Sequence, residues 1–157
     1  MQQTSLRAGP TPKNVICVCV DEIKEELIEG RMYHCYSETP VTFSNQLYLL
    51  TEMETLYDRL NFPQASTRDR TLKPKKTQTG TDKEAEAVRD EQDIKNQVGR
   101  KASFIVRVNS RQNATWQGSI SWTEKGVTKH FRSALELLKL IDSALGDEEL
   151  KDDNTAN

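Results

Sequence analysis

The chain has little of what secretion, metal binding or catalysis draw on. Its 157 residues include three cysteines and two histidines, and aromatics make up 6%. Three cysteines are an odd number, which does not suit a closed disulfide framework. Cys17 and Cys19 stand two apart on one expected strand and so point to the same face, which suits reduced thiols and a cytoplasmic protein. No apolar run reaches the roughly 18 residues of a membrane span, and no signal-peptide pattern occurs, so neither a span nor secretion is expected. No glycine-rich phosphate loop, His-x-Glu deaminase pattern or nucleophile elbow is present. The formal net charge of −2 argues against a general polyanion binder. Apolar residues are scarce too. With 29% charged residues and a mean hydropathy of −0.73, the ordered part is expected to be smaller than the chain, within one domain.

What is there concentrates in Trp116–Leu145. Ser119 to Thr123 alternates polar and apolar, the period of a half-buried strand with Ile120 and Trp122 on one face. Lys125-Gly126 makes a turn, and Thr128 to Phe131 is extended, returning to the sheet at Phe131. Ser133 and Glu136 form a capping box. A helix follows to about Leu145, stopped at Gly146. Leu135, Leu138, Ile141 and Leu145 are its expected buried stripe, widened by Leu137.

This stretch has an echo 88 residues earlier. Gly118 falls on Gly30, Phe131 on Phe43, Leu135, Leu137 and Leu138 on Leu47, Leu49 and Leu50, and Ile141 on Met53. Phe104, Val106 and Val108 fall on Ile16, Val18 and Val20. The first helix, capped by Ser44 or Asn45, carries Leu47, Leu50, Met53, Leu56, Tyr57 and Leu60 and ends at Phe62-Pro63. The reading is a duplication, in which neither unit alone can bury its apolar face. The expected fold class is α+β: duplicated ββα units forming a four-stranded antiparallel sheet with two helices on one face.

Along the chain, 1–13 is expected to be a disordered N-terminus. Residues 14–65 are the first ββα unit, with strands at Asn14–Val20 and Gly30–Ser37 joined by the acidic Asp21–Glu29. Residues 66–98 are a charged linker, basic then acidic, with an exposed helix over about 82–98 as the alternative. Residues 99–146 are the second unit, and 147–157 an acidic disordered tail.

The second unit resembles a recurrent small bacterial module through Trp116-x-Gly118 and the Phe-x-Ser-x-x-Glu-Leu-Leu helix start at Phe131, Ser133, Glu136, Leu137 and Leu138. The first unit resembles the matching half of uncharacterised clostridial-type proteins through Gly30-Arg31-Met32-Tyr33-His34, Phe43 and Phe62-Pro63-Gln64. The resemblance implies the fold and a bacterial origin. It brings no known activity and no catalytic residues.

Candidate chemistry is thin. Cys17, Cys19, His34 and Cys35 are the one conceivable metal set, but the spacing departs from zinc patterns, and buried small thiols are the plainer reading. A Cys35 nucleophile with His34 or His130 lacks an orienting third group. No catalytic residue, metal or cofactor is therefore expected. Trp122 is expected in the core. Trp116 either packs over Gly118 or anchors a ligand or partner. Arg107, Arg111, His130 and Arg132 make the second unit locally basic. Arg107 should share the sheet face opposite the helices with Tyr33, Cys35, Ser121 and Thr123.

An open sheet face is solvated, dimerised or covered by a partner. The leading expectation is a non-enzymatic binding protein that offers this face and the Trp116 loop to a protein partner or to a second copy. The alternative is a small nucleotide-type ligand held by Arg107, Arg111, His130 or Arg132 with Trp116. Single-stranded nucleic acid on the sheet is the third reading, and the net charge weighs against it.

Overall fold

The computed structural model describes residues 13–64, 86–111 and 115–155. Strand β1 (Val15–Lys24) and β2 (Leu27–His34) form a hairpin. A short β3 (Val41–Phe43) follows, then helix α1 (Gln46–Leu60). A single-turn α2 (Glu91–Lys95) leads into β4 (Ala102–Ser110), β5 (Gln117–Trp122), β6 (Val127–Phe131) and helix α3 (Ala134–Thr155). All six strands belong to one antiparallel sheet in the order β3-β2-β1-β4-β5-β6.

The expectation of four strands is therefore wrong. Each unit is βββα, because Val41–Phe43 and Val127–Phe131 pair with the hairpin before them. The connection expected over Asp21–Glu29 is likewise mostly strand. It turns at Glu25-Glu26, between the paired Lys24 and Leu27.

The 88-residue echo reappears in the geometry. Gly30 pairs with Phe43 and Gly118 with Phe131. A Cβ on Gly30 would collide with the carbonyl oxygen of Cys19, and one on Gly118 with that of Arg107, which is again 88 residues on. Both hairpins shift register at matching places, Val20/Glu22 and Val108/Ser110. Between the units, Cys17 pairs with Ile105, Ile16 with Val106 and Val18 with Phe104. Cys17 and Ile105 are themselves equivalent, so a pseudo-twofold axis runs through that pair, normal to the sheet. Residues 88 apart thus lie on the same face, and both long helices cover one side.

That side holds the core. Ile16, Val18, Val20, Met32, Phe104, Val106 and Ile120 meet Leu49, Met53, Leu56 and Tyr57 of α1 and Leu137, Ile141, Ala144 and Leu145 of α3. The helices start as matched caps: Asn45 Oδ1 accepts the N–H of Tyr48, and Ser133 Oγ that of Glu136. Glu136 in turn accepts the N–H of Arg132.

The buried stripes hold Met53, Leu56, Tyr57, Ile141 and Leu145 as expected and differ at their first members. Leu47 is 74% and Leu135 61% exposed, whereas Leu49 and Leu137 are buried. Residues two apart on a helix lie about 200° around its axis, so both cannot face the sheet. Two helix stops also differ. Asn61, left-handed with φ 50°, ends α1 before Phe62-Pro63 is reached. Helix α3 runs through Gly146 to Thr155, because an interior glycine costs about 1 kcal/mol without forcing a stop. It therefore enters the stretch expected to be a disordered tail.

The last part of the expected linker is a packed segment. Residues 86–101 cross the outer sheet face over β1 and β2. Ile94 is fully buried there, and Cys35 O accepts the N–H groups of Val88 and Arg89. Residues 66–85 of that linker lie outside the described residues, as do 1–12, 65, 112–114 and 156–157.

Candidate functional site

On the outer face, residues of opposed strands stand in rows. One row is Tyr33, Cys17, Ile105, Ser121 and Thr128, and the next holds Val15, Arg107, Ser119 and His130. Tyr33, read as a surface candidate, is buried at the first end of its row. Its ring has Arg31 at 5.5 Å and Arg89 at 5.4 Å, and its hydroxyl accepts from Arg31 Nη1. Arg31 also clasps Asp21 through two hydrogen bonds, which hold that carboxyl below its usual range. This lattice, with Val98 O as a further Arg31 acceptor, ties residues 86–101 down.

Arg107 does lie on the outer face, but it is engaged. It bonds Glu91 of α2 at 3.1 Å and reaches Asn14. The guanidinium holds the Glu91 carboxyl low. Arg111 and Trp116 are elsewhere, beneath the C-terminal end of α1. Arg111 is 4% exposed and donates to Asp58 at 2.7 Å and to Pro63 O at 2.6 Å. Trp116 meets Tyr57 edge-on at 5.7 Å, and Arg111 lies over the same Tyr57 ring. Trp116 and Arg111 are therefore a wedge holding the β4–β5 hairpin to α1, separated by the sheet from Arg107. His130 and Arg132 are both exposed, and Arg132 pairs with Glu136. The six candidates do not converge: two sit in the helix-side wedge, two in the outer-face lattices and two at the β6 edge.

The cysteine and histidine set is split as well. Cys17 and Cys19 are buried on the outer face with sulfurs 3.7 Å apart, and Cys17 Sγ reaches Gln97 O. The Cys19 sulfur and burial push the Cys17 thiol up, which keeps it protonated. His34 pairs with Ile16 and belongs to the helix side. Its Nδ1 accepts the N–H of Tyr36, and burial, with Arg59 and Arg89, lowers its pKa to about 4. Among the described residues no group of three or more His, Cys, Asp and Glu is placed to hold a metal. Cys35 and His130 are four strand spacings apart, roughly 19 Å, too far for a nucleophile pair.

What remains open is the outer face of the second unit and its edge. Residues 123 to 130 are all exposed, and Ser119, Ser121 and Ile105 are half-buried. Strand β6 ends the sheet, and Ser121 and Thr128 share a hydroxyl contact of 2.8 Å. The basic residues Lys125, Lys129 and Arg132 lie in or beside β6. By the twofold, this surface is the counterpart of the one that residues 86–101 cover on β1 and β2. Sequence reasoning missed that asymmetry. Its one signal was Ile94, a lone apolar residue among charged neighbours. No family model, curated protein or solved structure matches the chain. No helix among the described residues is long and apolar enough to cross a membrane.

Proposed function

We propose that the chain is a non-catalytic binding protein of a bacterial cytoplasm that takes an extended, acidic segment of a protein partner along β6 and the outer face of β4–β6. The observation that carries this reading is the broken symmetry. Two equivalent sheet surfaces exist, and the chain covers only one of them with its own segment among the described residues. Strand β6 supports strand addition: it is the last strand in the sheet, and Val127 to His130 are exposed. Arg132, exposed just past β6, favours an acidic partner. The three free cysteines support a reducing compartment, and the bacterial origin rests on the resemblance of the two units. The scattered positions of Arg107, Arg111, His130 and Trp116 weigh against one nucleotide pocket built from them. The Trp116 loop, wedged on Tyr57, drops out of the contact surface.

A photo-crosslinking side chain at Thr128, introduced into the full chain in its own host, tests the reading. One discrete protein adduct is expected from Thr128, and none from the same group at Leu47 on α1. His130→Glu with Arg132→Glu should lower the adduct yield roughly tenfold. Equal adducts from both positions, or an adduct that is a second copy of this chain, would overturn it.

A further inference from the structure

On the helix side, away from the outer face, a cleft of about 250 Å³ opens between α3 and β4–β6. Its walls are Phe104, Ile120 and Leu140, and its polar lining is Trp122, Lys129 and Ser143. The indole Nε1 of Trp122 is buried and has no hydrogen-bond partner among the described residues. A buried indole N–H ordinarily finds an acceptor, and leaving it unpaired is costly. The Trp122 ring itself is held, tilted 33° on Phe104 at 6.2 Å with Lys125 Nζ 5.8 Å from its centre.

The twofold sets this lining apart from that of the first unit. Ala144 stands where the first unit has Leu56, a side chain three carbons larger that is buried there. Lys129 stands where the first unit has Val41, and Trp122 where it has His34. The second unit thus has a smaller side chain on α3 and a cation in place of an apolar residue on β6. In the first unit the matching position is satisfied internally, since His34 accepts the Tyr36 N–H.

We infer that this cleft is a binding site for a small aromatic carboxylate. Its ring would lie against Phe104, Ile120 and Leu140, and its carboxylate would meet the Lys129 ammonium. The Ser143 hydroxyl lines the same cleft. The lining asks for this combination: apolar walls, one cation, a serine hydroxyl and no acidic side chain. Size narrows it further. The volume exceeds the roughly 150 Å³ that houses benzene and falls short of the roughly 300 Å³ at which drug-sized pockets begin. A bicyclic acid therefore fits better than a single ring or a nucleotide. This inference is independent of the partner surface on the other face.

The test uses 2-naphthoate as probe and the full-length chain, uniformly labelled with nitrogen-15. Titration should shift the Trp122 indole N–H resonance and leave that of Trp116 in place. Calorimetry should show tighter binding of 2-naphthoate than of 2-naphthol, which is neutral at pH 7. Two substitutions install the first unit's residues. Ala144→Leu should fill the cleft and abolish binding. Lys129→Val should weaken the acid about tenfold and leave the neutral probe unchanged. Should Ala144→Leu not fold, Lys129→Val carries the test alone. An unmoved Trp122 resonance at about 1 mM probe, equal affinity for acid and naphthol, or undiminished binding of the acid by Lys129→Val would overturn the inference.

Discussion

His34 shows how one side chain couples this fold to pH. It is buried, its Nδ1 accepts the Tyr36 N–H, and its pKa is lowered from the ordinary 6.5 to about 4, first by burial and then by Arg59 and Arg89. The folded protein therefore holds the ring neutral, while the unfolded chain takes a proton near pH 6.5. Stability from this residue is complete above pH 6.5 and is lost as pH falls from there to about 4. The gap corresponds to about 3 kcal/mol. Denaturant titrations between pH 7 and 4 should show this loss, and His34→Asn, which keeps an acceptor but does not titrate, should flatten it. An unchanged slope in His34→Asn would remove His34 as the cause. Asp21 and Glu91, whose carboxyls their arginines hold low, add losses only at lower pH. Little of this was legible in the sequence. Tyr33-His34-Cys35 reads as alternation, but the charges that act on His34, Arg59 and Arg89, come from far along the chain.

At the scale of elements, the β1–β2 hairpin turns on an unusual pair. Lys24 and Leu27 are opposed, so Glu25-Glu26 is a two-residue turn, with φ of 50° and 70°. Asparagine and glycine adopt that conformation readily, whereas a longer side chain is strained in it. Replacing Glu25-Glu26 by Asn-Gly should stabilise the protein by about 1 kcal/mol, seen as a rise of roughly 3 °C in Tm. A fall in Tm would mean that the two glutamates make contacts outweighing the turn strain. The acidic run DEIKEELIE concealed this hairpin in the sequence because Glu25-Glu26 are not among the usual turn residues. The helices were plainer: Ser133 was legible as a start, and Ser44 or Asn45 as the other, of which Asn45 is the cap. Their buried stripes were legible except in the first turn, where Leu47 and Leu135, though apolar, point to solvent.

At the scale of the whole molecule, the twofold makes a paired prediction. A Cβ at Gly30 or Gly118 meets backbone of the neighbouring central strand, which cannot move aside, whereas one at Gly146 meets nothing. Gly30→Ala and Gly118→Ala should each cost more than about 3 kcal/mol and agree within roughly 1 kcal/mol of each other. Gly146→Ala should stabilise α3 by up to about 1 kcal/mol. Denaturant unfolding of the three variants checks this. Tolerance of either sheet substitution would mean that the two central strands are not packed alike.

The sequence by itself determined the 88-residue spacing at which the two units match. It also determined the inward apolar rows of β1 and β4 and the two capped helices, because each of these is a local period or a local cap. Only the tertiary structure decided that there are six strands. Strand β3 has three residues, and four of the five residues of β6 are exposed, so neither carries the alternation that one buried face imposes on a strand. Tertiary structure also decided that residues 86–101 cover one half of the outer face and that Trp116 and Arg111 serve as a wedge. It set the cleft beside Trp122 in the same way. Each of these depends on which distant surface a side chain meets, and no local pattern in the chain encodes that distance.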